Sequence, residues 1–65
     1  MPIITANILS GRPDNQKREL IRSLTDAAVH ALNVQPGQVR IIINEVAPEH
    51  WGVGGVSKAD QEGGA

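Results

Sequence analysis

The chain has 65 residues, a formal net charge of −1, one Trp and no Phe, Tyr or Cys. That excludes a disulfide framework and Cys-based metal sites, and it removes the basic field that would draw the protein to nucleic acid or a membrane surface. A domain this small buries only about 60% of its unfolded surface, so with no disulfide to help, a partner subunit is the expected source of further stability.

The chain begins MPII. If Met1 is trimmed, Pro2 becomes the amino terminus and its nitrogen a free secondary amine. If Met1 stays, that nitrogen is an acylated amide with no basic lone pair. The start lacks a secretion signal and the apolar runs are too short to span a bilayer, so a soluble, cytoplasmic protein is expected.

Residues 3–9, IITANIL, are β-branched at the start and bounded by Ser10-Gly11, which predicts a strand. Pro13-Asp14 then signals a helix start, with Asp14 as the expected N-cap. Leu20, Ile21, Leu24, Ala27, Ala28, Ala31 and Leu32 form one apolar stripe, the mark of an amphipathic helix. Val29 and His30 fall off the stripe, and Lys17 and Arg18 read as solvated helix charges. The helix should end near Asn33, with Pro36-Gly37 as the turn.

Residues 39–46, VRIIINEV, predict a second strand that is apolar on both faces. One face can cover the helix; the other asks for a second subunit. Residues 48–55, PEHWGVGG, read as a loop or tight hairpin, and residues 56–65 as a polar, mobile tail. The expected fold is therefore α/β, a single βαβ unit over residues 1–55 with parallel strands and a C-terminal hairpin.

This topology puts Pro2 and Arg40 at the edge where both strands begin. Arg12 lies past the end of the first strand, roughly 23 Å along it from Pro2. Within one chain the two cannot share a small pocket, so cooperation requires Arg12 from a neighbouring subunit. Each residue also has a structural reading: Arg12 as a solvated loop charge, Arg40 as the partner of Glu45 or Glu49, Trp51 as an interface anchor. His30 and His50 lack a ligand-like spacing, so a metal site is not expected.

Taken together, the proline after Met1, LSGR ending in Arg12, DNQKRELI, Arg40 opening the second strand and HWGVGG resemble the 4-oxalocrotonate tautomerase family. The resemblance spans the chain to Gly55. It implies a trimmed Pro2 that moves a proton between oxygen and carbon of an unsaturated 2-hydroxy acid such as 2-hydroxymuconate. It implies Arg12 on the distal carboxylate, Arg40 on the other carboxylate end and the 2-oxygen, the Leu9 backbone near the reacting end, and an aromatic wall at Trp51. No cofactor is implied, and the implied assembly is a homo-oligomer, a hexamer built as a trimer of dimers.

Two features depart from the family pattern. Trp51 stands where the best-known members have Phe, which narrows the wall or favours another enol. Val53 stands where sibling dehalogenases place a water-activating carboxylate, which disfavours hydrolytic dehalogenation. The alternatives are a biosynthetic tautomerase with a different enol substrate and a non-catalytic oligomeric module.

Overall fold

A computed structural model describes residues 1–63, with the side chains of 62 and 63 left undescribed. Strand β1 spans Ile3–Leu9, helix α1 Asp14–Leu32 and strand β2 Arg40–Val46. The strands pair in parallel, from Ile3 opposite Arg40 to Leu9 opposite Val46. The expected βαβ unit is present, with β1 at its predicted bounds and β2 beginning one residue later than predicted.

Alternation along the pleat sorts the two faces. Ile4, Ala6, Ile8, Ile41 and Ile43 are half-buried, on the face that α1 packs against. Ile3 and Ile42, on the opposite face, are 65% and 48% exposed. A two-stranded sheet is narrower than the apolar arc of α1, so part of that arc also stays open. Leu20, Leu24 and Ala28 are covered, whereas Ile21 is 41% and Leu32 56% exposed.

Two local expectations are corrected. Pro13, not Asp14, holds the N-cap position; Asp14 is the first helical residue and its carboxylate pairs with Lys17 at 3.2 Å. Lys17 is not a free solvated charge. Its ammonium also pairs with Glu45 on β2, tying the first turn of the helix to the sheet. Val29, off the apolar stripe, is half-buried. The helix does end as predicted, with Asn33 at φ 56° in the left-handed region.

Beyond β2, a turn at Pro48–His50 leads into a hairpin of β3, Gly52–Val53, and β4, Val56–Ser57. Gly54 and Gly55 have φ of +62° and +88°, the sign that a two-residue turn matching strand twist demands at both positions. Gly55 is thus the second residue of the hairpin turn, and a second helix, α2, follows at Lys58–Gly63. Ser57 Oγ accepts the Asp60 N–H at 3.1 Å and so caps that helix, which packs on the Pro48–His50 turn and on β4. Residues 64 and 65 of the expected tail lie outside the described residues.

The chain encloses almost no interior. Ala28 and Val39 are the buried hydrophobic residues among those described, and no described side chain falls below 2% exposure. The accessible surface is 4745 Å², against about 4000 Å² for a compact monomer of this mass. The radius of gyration is 15.1 Å, where about 11 Å is usual for this length. The molecule measures 46 × 24 × 13 Å, a slab whose layers lack opposing layers. No helix among the described residues is long and apolar enough to cross a membrane.

Candidate active site

Pro2 and Arg40 meet where the sheet begins. The Arg40 N–H donates to the Pro2 carbonyl at 3.0 Å, as the first link of the parallel ladder. Pro2 is half-buried, while Met1 is 75% exposed, so loss of Met1 would cost little packing. The Arg40 guanidinium does not pair with Glu45 or Glu49. Its Nη1 donates to the Gly37 carbonyl at 2.6 Å and, more weakly, to the Val39 carbonyl at 3.5 Å. Glu45 is unavailable because it faces the helix and is held by Lys17.

Arg12 occupies the far end, as the topology requires. The final rung there is the Ser10 N–H to the Val46 carbonyl at 2.9 Å. Gly11, at φ +112°, then swings the chain toward α1. Arg12 Nη1 donates to Gln16 Oε1 at 3.2 Å, one helical turn on. A half-open cavity of about 200 Å³ lies beside it, lined by Ile8, Arg12, Gln16, Lys17 and Leu20. Ligand pockets usually exceed about 300 Å³, and neither Pro2, Leu9, Arg40 nor Trp51 lines this one.

Trp51 is half-buried at the end of the Pro48–His50 turn. Its carbonyl accepts the Lys58 N–H at 2.7 Å, so the C-terminal segment holds it from behind. Leu9 ends β1 opposite Val46. The fold thus brings Pro2 and Arg40 together and leaves Arg12 at the other end of the sheet. His30 and His50 are both exposed.

Electrostatics near Arg12 are dominated by its neighbour Lys17. The hydrogen bond to Glu45, and then that to Asp14, hold the Lys17 ammonium above its ordinary value of 10.5. Lys17 therefore stays charged but compensated by two carboxylates, and Arg12 is the cavity's uncompensated cation.

Sequence reasoning missed the residues that orient both arginines. Gln16 was legible as the residue four positions after Arg12. The Gln35 and Gln38 pair around Pro36-Gly37 carries the spacing of a capping box.

A sequence model of the family described as tautomerase enzyme matches residues 2–61. A structure of a 4-oxalocrotonate tautomerase isozyme from Methylibium petroleiphilum is 45% identical, covering 98% of this chain and 100% of that one, with a TM-score of 0.95. A heterohexamer 4-oxalocrotonate tautomerase from Chloroflexus aurantiacus is 47% identical over 92% of this chain and 97% of that one, at TM-score 0.89. A 4-oxalocrotonate tautomerase homologue of the tomaymycin biosynthetic pathway is 37% identical, covers 95% of each chain and scores 0.93.

Proposed function

The chain belongs to the tautomerase family, and from that premise we propose that it interconverts enol and keto forms of an unsaturated 2-hydroxy dicarboxylic acid such as 2-hydroxymuconate. The observation that carries this reading is the backbone bond that sets Pro2 beside Arg40 at the start of the sheet. With Met1 removed, the Pro2 amine takes the hydroxyl proton of the dienol and returns it to a carbon of the conjugated chain, as the 2-oxygen becomes a carbonyl. No net oxidation occurs and no cofactor is required.

Such a base must be unprotonated near neutral pH, yet an α-amino group titrates near 8 and a secondary amine is more basic still. Cationic neighbours and an apolar wall both disfavour the ammonium form. Arg12, Arg40 and Trp51 are the groups that would provide these two effects. Arg40 binds the carboxylate next to the 2-oxygen and stabilises the enolate charge that develops there. Arg12 of another copy grips the distal carboxylate, its planar fork matching two oxygens. The Leu9 backbone, which sits at the Arg12 end of its own chain, would reach the oxygen of the reacting end from another copy.

The working form is a homo-oligomer, a hexamer arranged as a trimer of dimers, in the cytoplasm and serving aromatic-ring catabolism. The near-absence of an enclosed core, the open sheet face and the separation of Arg12 from Pro2 support assembly. Likeness to the tomaymycin-pathway homologue supports a second reading, a biosynthetic enol substrate, for which the bulk of Trp51 would be the selecting feature.

The test is the ultraviolet assay of 2-hydroxymuconate ketonisation, using protein whose mass shows Met1 removed. Fast turnover that vanishes in Pro2→Ala supports the reading. Absence of turnover in trimmed, oligomeric protein rejects this substrate and favours the second reading.

A further inference from the structure

We propose that the Pro36–Gln38 turn is a positioning device for Arg40, with Gln38 as the positioning residue; this rests on Arg40 being the carboxylate-binding group proposed above. Arg40 is exposed and carries a long, freely rotating side chain, so its aim must come from something it touches. No carboxylate among the described side chains supplies that aim. The group that takes its guanidinium is the Gly37 carbonyl, at 2.6 Å from Nη1.

That carbonyl belongs to a turn locked from both sides. Gln38 Oε1 accepts the Gln35 N–H at 2.9 Å, and the Gln35 side chain accepts the Gln38 N–H in return. The Gln38 N–H also reaches the Gln35 carbonyl at 2.9 Å. Pro36 stands in the first position of the turn, where a missing N–H costs nothing and a fixed φ suits the bend. The turn closes with the Val39 N–H on the Pro36 carbonyl at 3.1 Å, and Val39 is one of the two buried hydrophobic residues among those described.

The geometry has a chemical consequence. With Nη1 engaged by Gly37, the Nε–Nη2 edge of the guanidinium is left as a two-donor fork, the arrangement a carboxylate accepts. The Arg40 backbone is at the same time fixed to Pro2 through its N–H. One turn therefore sets the direction of the carboxylate fork relative to the proton-transferring nitrogen. Gln38 contributes through Arg40, not by touching substrate.

Two readouts on the assembled protein test this, one of them independent of turnover. In 15N NMR, the Arg40 guanidinium of the wild type should show hindered rotation that keeps the bonded Nη1 distinct from Nη2, and Gln38→Ala should speed that rotation about tenfold, the scale of one lost hydrogen bond. In ketonisation of 2-hydroxymuconate, Gln38→Ala should lower kcat/KM about tenfold, but less than about twofold in an Arg40→Ala background, because coupled residues are not additive. An unchanged guanidinium spectrum, or an equal loss in both backgrounds, overturns the proposal. If the wild type does not turn over this substrate, the function proposed above fails while the NMR comparison still decides the positioning role. Should Gln38→Ala not fold, Gln35→Ala, which removes only the reciprocal half of the lock, takes its place with the same readouts.

Discussion

The two ends of the parallel sheet hold their arginines by different means. Where the strands begin, Arg40 is fixed by its own backbone N–H to Pro2 and by a carbonyl of a locked turn. Where they finish, Arg12 follows a glycine in a positive-φ conformation and is steadied by the exposed amide of Gln16. Backbone anchors confer a defined direction, whereas a single exposed side-chain contact contributes little and leaves the group able to swing. The first end suits a step that depends on alignment. The second suits a group whose final orientation is set when it meets a ligand or another copy.

This contrast can be broken most severely at the rigid end. Pro2→Ala should retain the fold and reduce ketonisation by about 100-fold or more, the range lost with a general base. Retained activity in that variant would remove Pro2 from the chemistry. The division between the ends is tested next by dilution. Activity and oligomer should fall together across the same concentration range in sedimentation and rate measurements, and an active monomer would show that one chain completes the site.

The swinging end should give a smaller and more selective effect. Arg12→Ala is expected to raise KM for dicarboxylate enols about tenfold or more while changing monocarboxylate analogues little, since one bidentate pair is lost only with the former. Equal losses for both would contradict its assignment to the distal carboxylate.

The smallest effect concerns the clamp beside Arg12. Lys17→Met should lower the thermal midpoint by about 3 °C or less, as expected of a pair near the surface. Its pH dependence has a definite sign. The Lys17 value is raised in the folded state, so its contribution is complete below pH 10.5 and lost as pH climbs through the folded value. Glu19 runs the other way. The hydrogen bond from Arg22, with Ser23 second, holds its carboxyl below 4.5, so that contribution is present above pH 4.5 and lost as pH falls. Denaturation midpoints followed across pH should therefore decline at both extremes, and Lys17→Met should reduce the alkaline decline while leaving the acid one.

Much of the fold was legible because it is written in short-range pattern. β1 appears at its predicted bounds because β-branched residues and a Ser-Gly stop are local signals. The α1 end at Asn33 follows from the same kind of evidence. The Lys17 clamp was not legible, because its partner Glu45 lies 28 positions away and meets it only after the crossover. Helix α2 escaped for a related reason. Its polar run carries no apolar periodicity, and its order comes from the Ser57 cap and from packing on the Pro48–His50 turn.

Of the candidate site, sequence order and strand polarity determined that Pro2 and Arg40 share an edge and that Arg12 cannot join them within one chain, because parallel pairing fixes which ends coincide and a seven-residue strand fixes the separation. Tertiary structure alone decided which groups hold the arginines. A guanidinium bonds the acceptor that folding brings within its reach; for Arg40 that is the Gly37 carbonyl, while Glu45, on the opposite face of the same strand, meets Lys17.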